Sequence, residues 1–292
     1  MKYSTYRRYA GICFLAMGGV IMLSGGSHSF AADAIRKPAV AGQFYTANAV
    51  DLKKEVQGYL AAGSKKTSFP TMLISPHAGF MFSGPVAGKG YATIDKAATT
   101  VIILGPSHHE WFSGVSISDV DYYATPLGSV ALAKDIIAKL RKNPLVTFSA
   151  AADAPEHSLE VQLPFLQVAL SSFSIVPIIT GKVDAQAVAD LIAPILTPST
   201  LIVASSDLSH YHGSAEAKTI DNATIQTILS GNFDGALDAC GELPIRVVMR
   251  LARTEGLVPE LLDARNSFET AHMQENRVVG YASIGYFKKK SK

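Results

Sequence analysis

Three segments of the chain share a pattern in which a short, continuous apolar stretch runs into a polar turn that contains histidine. They are TMLISPHAG at 71–79, TTVIILGPSHH at 99–109 and STLIVASSDLSH at 199–210. Apolar runs of this length, separated by helical patterns, are typical of strands buried on both faces of a parallel sheet. FSIVPIITG at 173–181 is predicted to be a fourth such strand. The pattern therefore predicts an α/β fold.

The stretches between these strands are predicted to be helices, with glycine, proline and aspartate at the joins. They are GPVAGKGYATIDKA, VALAKDIIAKLRKN, HSLEVQLPFLQVALSS and AQAVADLIAPIL. The last third is predicted to form helices over AEAKTIDNATIQTILSGNFDGALDACG and PIRVVMRLARTEG, then strands over LVPELLDARNS and RVVGYASIGYF. The final strand alternates as a strand half exposed to water would. We expect one α/β/α sandwich around a largely parallel mixed sheet.

The first residues of the chain have the layout of an export signal. A positively charged start, an apolar middle at 9–23 and small residues near Ala34 suit a signal that is cleaved after export. The apolar run is interrupted by glycines and is shorter than the ~20 residues of a spanning helix, so a retained anchor is the alternative. We expect a signal over 1–34 and a single exported, periplasmic domain over 35–292.

Charge and cysteine content narrow the classes of partner and site. The net charge is +2, and the basic residues are scattered rather than clustered, which argues against a nucleic-acid partner. Cys13 leaves with the signal, so Cys240 becomes the only thiol and cannot form an internal disulfide. Cys240 is then either a small buried residue or a ligand or reactive thiol.

The histidine turns predict a shared polar site. Ligands of open parallel sheets bind beyond the carboxyl ends of the strands, so His77, His108 or His109, and His210 are expected around one crevice. Imidazoles together with the thiolate of Cys240 suit zinc, ferrous iron or copper better than magnesium or calcium. Three protein ligands would leave an open coordination position, as in catalytic sites.

Two further segments carry candidate site residues with a structural alternative. In SSDLSH, Asp207 can orient His210 or act with it as an acid–base pair, although the same residues could begin a helix. In DAPEHSLEVQLPF, Asp153 and Glu156 have the order of a helix N-cap and capping-box glutamate. That order leaves His157 unexplained, and a place in the site is one of its two open interpretations.

Several stretches, taken together and in order, resemble the Memo family, whose relatives include the class III extradiol ring-cleaving dioxygenases. They are VAGQFYTAN, SPHAGFMFSGPVAGKGY, VIILGPSHH, DVDYYATPLG, DAPEHSLEVQLPFLQ, VPIITG, SSDLSH, CGELPI and GYASIGY. The resemblance covers nearly all of the chain after the signal, and GPSHH with EHSLEVQLPF is its most specific part. It implies the fold of the class III extradiol dioxygenases.

The resemblance also implies site residues and partners. It implies His77, His108 and Cys240 as metal ligands, with Asp207 and His210 close by in the crevice. Extradiol dioxygenases complete a two-histidine iron triad with glutamate, so a thiolate at the third position changes the preferred metal. Prokaryotic Memo proteins are associated with a radical-SAM enzyme and an AMMECR1-like protein, but radical-SAM chemistry is cytoplasmic and an export signal argues against both partners.

The sequence therefore predicts an exported, mononuclear metal protein with redox chemistry. His77, His108 and Cys240 would hold one iron(II) or copper ion, with zinc as an alternative, and Asp207, His210 and His157 would be the catalytic residues. The substrate would be an unknown small molecule or dioxygen. A non-catalytic protein that carries metal or binds a peptide in the same crevice is the main alternative, and a zinc-dependent hydrolase is a third.

Overall fold

A computed structural model describes residues 33–64, 66 and 68–289 of the chain. The predicted export signal lies outside these residues apart from Asp33 and Ala34. The strands are β1 (Ile35–Arg36), β2 (Met72–Ser75), β3 (Thr100–Pro106), β4 (Val115–Ile117), β5 (Tyr122–Thr125), β6 (Gly128–Ala131), β7 (Val146–Thr147), β8 (Ser174–Thr180), β9 (Thr200–Ser205), β10 (His210–His212), β11 (Leu257–Asn266) and β12 (Val278–Lys288).

The helices lie between and after these strands. They are α1 (Ala49–Ala61), α2 (Phe80–Tyr91), α3 (Lys134–Leu140), α4 (Ala150–Asp153), α5 (Leu163–Ala169), α6 (Ala185–Ile192), α7 (Ser214–Ser230), α8 (Glu242–Thr254) and α9 (Ser267–Ala271). A 3₁₀ turn at Glu160–Gln162 precedes α5, and another at Ala193–Ile195 follows α6. None of these helices combines the length and apolarity that crossing a bilayer requires.

The predicted α/β fold is confirmed. Nine strands form one sheet in the order β10-β12-β2-β9-β3-β8-β4-β7, with β11 also paired to β12. Strands β2, β9, β3 and β8 are parallel, whereas β12 and β4 run antiparallel to β2 and β8. Two groups of helices flank this sheet: α1, α2 and α5 pack together, as do α6 and α8. Strands β1, β5 and β6 form a separate small sheet.

The parallel strands end level with one another. Ser75 at the end of β2 pairs with Ser205 at the end of β9, and Ala204 of β9 pairs with Leu104 of β3. Every residue of β2 and β9 is buried, as continuous apolar runs predict. The turns that follow β2, β3 and β9 therefore leave the sheet at the same edge.

Two details of the last third differ from the sequence predictions. Strand β12 is almost wholly buried rather than half exposed, because it lies inside the sheet between β11 and β2 and packs against both α2 and α7. Helix α7 ends at Ser230, because Gly231 adopts a left-handed conformation with a φ of 68° that closes the helix. The segment 231–241, predicted to be helical, is irregular instead.

A buried ion pair fastens the start of the domain to the segment before α5. Arg36 contacts Glu160 at 2.9 Å and Asp153 at 3.6 Å, and all three side chains are almost inaccessible to solvent. The guanidinium also donates to the backbone oxygens of Asp153 and Glu156. Glu160 additionally accepts hydrogen bonds from the hydroxyl of Tyr45 and from the backbone of residues 39 and 40. This ion pair holds the segment 153–160 in place.

We expect Glu160→Gln to lower the free energy of unfolding by about 3 kcal/mol, because removing the nearer carboxylate leaves the buried Arg36 cation only partly compensated by Asp153. Urea unfolding of the domain measures this loss. Glu216→Gln is the control, since Glu216 pairs with His212 at the surface and is 65% exposed, and it should cost less than about 0.5 kcal/mol. Equal losses in the two variants would contradict the bracing role of the pair.

Candidate metal centre

Three histidines converge at the edge of the sheet where the parallel strands end. His77 follows β2, His108 follows β3, and His157 lies in the turn between α4 and the 3₁₀ turn before α5. Their ligand atoms all lie within 4.8 Å of one another. The rings of His108 and His157 are stacked with centroids 4.6 Å apart, and His77 is edge-on to both. The three imidazoles form a group that could hold one metal ion.

Buried hydrogen bonds fix the tautomer of His77. The single proton of the Ser205 hydroxyl is donated to the backbone oxygen of Ser158 at 2.6 Å. Ser205 Oγ must then accept from Gln162 Nε2 at 2.8 Å and from His77 Nδ1 at 2.9 Å. Because Nδ1 of His77 carries the proton, its Nε2 carries the lone pair that is available to a metal.

Glu156 performs the corresponding role for His108. Its Oε1 accepts from His108 Nδ1 at 2.9 Å, and its Oε2 accepts from the His108 backbone N–H at 2.8 Å. Oε1 also accepts from the Ser158 backbone and lies 3.5 Å from His157 Nδ1. This buried carboxylate thus orients the His108 ring and leaves its Nε2 available to a metal, as carboxylates behind metal-bound histidines do.

The surroundings keep two of the three imidazoles neutral. Burial, together with the neighbouring His157 and His108, lowers the pKa of His77 well below its ordinary value. Burial also lowers the pKa of His157 to about 4, although the Glu156 charge opposes this shift. A neutral imidazole is the form that binds metal, so both side chains are in the ligand state near neutral pH.

Cys240 lies against His77. Its sulfur is 3.2 Å from His77 Nε2 and accepts a hydrogen bond from the Asp207 backbone N–H at 3.3 Å. Burial and the Asp207 carboxylate raise the pKa of the thiol to about 12. The thiol is therefore protonated near neutral pH, and it is brought within contact distance of the histidine group although it is not part of that group.

Asp207 and His210 lie beside the centre without forming the predicted pair. Asp207 Oδ1 accepts from the backbone N–H groups of His77 at 2.8 Å and Ala78 at 3.3 Å, and no hydrogen bond joins it to His210 in the described part of the chain. Burial raises the pKa of Asp207 to about 7. Burial lowers the pKa of His210. The observed geometry makes Asp207 a support for the turn that carries His77.

Sequence reasoning placed His77, His108 and Cys240 together, and the structure brings all three into one region. It left the role of His157 open, and His157 proves to be a member of the histidine group. The expected helix cap is wrong: Asp153 ends α4, whose cap is Ser149, and Glu156 bonds His108 instead.

The hydrogen-bonding roles of Ser205 and Gln162 were missed. Both lie in apolar-rich segments and carry no local signal of their partners. His109 is adjacent in sequence, but its ring centroid is 6.5 Å from that of His157 and it is outside the histidine group.

A cavity of 440 Å³ opens beside Cys240. Its walls include Ser107 and Trp111 from the turn after β3, and Lys182 from the turn after β8. The indole of Trp111 is 93% exposed. The cavity gives small molecules a route to the sulfur side of the centre.

Comparison with known proteins matches the chain to the Memo-like protein family over residues 36–285. A MEMO1 family protein from Sulfolobus acidocaldarius is 34% identical over 283 residues, covering 86% of this chain and 99% of that relative. One from Methanosarcina barkeri is 35% identical over 266 residues, with the same two coverages. The crystal structure of an uncharacterized protein from Escherichia coli K12 covers 73% of this chain and 99% of its own, with a TM-score of 0.46 and 16% identity.

Burial raises the pKa of Glu156, but the hydrogen bonds and charge of His108 outweigh burial and lower the pKa from 4.5 to about 2. A carboxylate with a depressed pKa stabilises the fold above its ordinary pKa and loses that contribution as pH falls. We expect wild type to exceed Glu156→Gln in unfolding free energy by about 3 kcal/mol at pH 7. The difference should shrink between pH 4.5 and pH 2. Urea unfolding at several pH values measures it, and a difference independent of pH would contradict the assignment.

Proposed function

The chain belongs to the Memo-like protein family, and we propose that it is a mononuclear metal protein with redox chemistry towards a small molecule or dioxygen. The observation that carries this proposal is the group formed by His77, His108 and His157, whose ligand atoms lie within 4.8 Å of one another. Buried hydrogen bonds orient two of these rings before any metal binds. Such an arrangement has no evident structural purpose, since neutral imidazoles gain little from one another.

The donor set fits a transition metal. Imidazole nitrogens and a thiol suit iron(II), copper or zinc, whereas magnesium and calcium prefer oxygen donors. Cys240 Sγ is 3.2 Å from His77 Nε2. Two donors on one tetrahedral ion, at bond lengths of about 2.0 and 2.3 Å, are about 3.5 Å apart. We therefore assign the metal to His77, His108 and His157, with the sulfur of Cys240 as an additional donor.

The residues around the centre divide into those that hold the ligands and those that remain available. Both oxygens of Glu156 are engaged by His108, so this carboxylate holds its ligand in place. Asp207 uses only Oδ1, and its other oxygen accepts no hydrogen bond in the described part of the chain. Asp207 is thus the carboxylate that can accept or return a proton, with His210 as the second such group. The bound metal would supply electron transfer or activation of dioxygen.

We also propose that the protein is exported, because residues 1–34 have the positively charged start and the apolar middle of an export signal. A periplasmic protein would act apart from the cytoplasmic radical-SAM chemistry with which prokaryotic Memo proteins are associated. The 440 Å³ cavity beside Cys240 is within the range of ligand pockets and would admit a small molecule, such as dioxygen, to the sulfur side of the centre.

We expect one iron or copper ion per chain in protein purified without oxygen, measured by mass spectrometry of the metal content. His77→Ala and His157→Ala should lower the metal affinity at least about tenfold, because each removes an imidazole donor. His109→Ala is the matched control and should retain the metal. Retention of full metal affinity in His157→Ala would contradict the three-histidine assignment.

Cobalt(II) loading separates the role of Cys240 from that of His157. A thiolate bound to cobalt gives a charge-transfer absorption band in the near ultraviolet, because metal binding deprotonates a coordinating thiol. We expect this band in wild type and in His109→Ala but not in Cys240→Ser. A wild-type protein that binds cobalt without the band would exclude the sulfur as a donor.

Turnover tests the redox proposal. Oxygen uptake by the iron(II)-loaded protein with candidate phenolic substrates should fall at least about tenfold in Asp207→Asn at unchanged iron content, because the variant loses a proton acceptor. Zinc loading should abolish uptake. Hydrolytic turnover by the zinc-loaded protein without oxygen uptake would favour a hydrolase, and bound metal without turnover would favour a metal-carrying or peptide-binding protein.

A further inference from the structure

A second cavity, of 310 Å³, lies near the turn that carries His77. Ala78, which follows His77, lies on its wall, as does Tyr211, which follows His210. Asp207 is close to this wall, because its Oδ1 accepts a hydrogen bond from the backbone N–H of Ala78 at 3.3 Å. The volume is near the lower end for small-molecule sites.

Tyr211 reaches the wall of this cavity because it lies in a β-bulge. His210 pairs with Val279 and His212 pairs with Val278, so Tyr211 is the extra residue in β10. It has a φ of 67°, a conformation that bulky residues rarely adopt. Bulges of this kind occur next to active sites, where they redirect a side chain.

Backbone strain is concentrated at the same cavity. In the described part of the chain, Tyr211, His272 and Gln274 are the non-glycine residues with positive φ. His272 has an ordinary reason, because it closes α9 as its C-terminal cap. Tyr211 and Gln274 both line the cavity. A strained backbone conformation persists only where the surrounding structure enforces it. Such conformations are frequent at ligand-binding sites.

Arg277 supplies the charge of the cavity. Its guanidinium lies 4.5 Å from the centroid of the Tyr211 ring, and this stacking orients the planar guanidinium group. Arg277 forms no ion pair among the described residues. Its backbone N–H donates to the backbone oxygen of Gln274 within the turn. Another arginine stacked in this way, Arg253 over Phe233 at 5.3 Å, lies in a different region of the surface.

We propose that this cavity binds the carboxylate of a small organic acid and that this acid is the substrate of the metal centre. Arg277 would pair with the carboxylate through both arms of its fork, which matches a planar anion. Phe82, Met273 and Val279 would contact the apolar body of the acid. Ala78 on the wall directly follows His77, so the rest of the molecule would lie on the side of the metal centre. The substrate role rests on the proposed function, whereas the binding of the acid does not.

Fluorine NMR of 4-fluorobenzoate tests the proposal, with 4-fluorobenzamide as the uncharged probe and 4-fluorophenyl phosphate as the tetrahedral anion. We expect 4-fluorobenzoate to bind the wild-type protein at least about tenfold more tightly than Arg277→Gln, since a bidentate charge-assisted pair is lost. Arg277→Lys should be intermediate, because it keeps the charge without the fork. Arg253→Gln is the matched control and should bind as wild type does. Thermal unfolding checks that each variant is folded.

Cobalt(II) loading then separates the two proposals. Broadening of the bound 4-fluorobenzoate signal by cobalt would support the placement beside the metal centre. Arg277-dependent binding in a protein that takes up no cobalt would keep the carboxylate site and overturn its role as the substrate site of a metal centre. Cobalt binding with equal 4-fluorobenzoate affinity in wild type and Arg277→Gln would overturn the carboxylate site alone. Tighter binding of the phosphate or the amide than of the carboxylate would overturn the assigned ligand class.

Discussion

The level ends of the parallel strands β2, β9 and β3 are the constraint on which the candidate centre depends. Strand β9 lies between the other two, and Ser75 of β2 pairs with Ser205 of β9. Neighbouring strands are about 4.8 Å apart, so the turns after β2 and β3 meet above the end of β9. Ser205 at that end then reaches His77 from below. A slip of one residue in this register would turn Ser205 to the opposite face of the sheet.

The hydrogen bonds beneath the histidines form a fully satisfied network. Gln162 donates to Ser205 and to the backbone of Pro76, and it accepts from the hydroxyl of Tyr91. Each hydroxyl and amide in this chain of contacts has a partner, so the direction of every proton is determined. Networks of this kind are costly when incomplete and rigid when complete. The orientation of His77 is therefore set by the buried hydrogen bonds beneath it and not by the conformation of its turn alone.

The sequence predicted those features that depend on local pattern. Buried parallel strands read as continuous apolar runs, and histidines that follow such strands mark the edge where ligands bind, which identified His77 and His108. The burial of β12 was predicted wrongly. Alternating apolar and polar residues indicate that one face of a strand is covered, and they cannot show that a helix also covers the other face. Glu156 was mistaken for a helix cap, because capping and ligand support require the same residue type. Only the fold decides which N–H group such a carboxylate reaches. His157 lies in the same turn as Glu156. Its place in the centre depends on the fold of that turn and could not be assigned from its spacing in the sequence.

The Arg36 and Glu160 ion pair makes the third imidazole depend on a distant part of the chain. The two residues are 124 positions apart, and the guanidinium also donates to the backbone oxygens of Asp153 and Glu156. His157 directly follows Glu156, whereas His77 and His108 follow strands of the central sheet. Two of the imidazoles thus depend on the register of the sheet, and the third depends in addition on a contact made by the first residues of the domain.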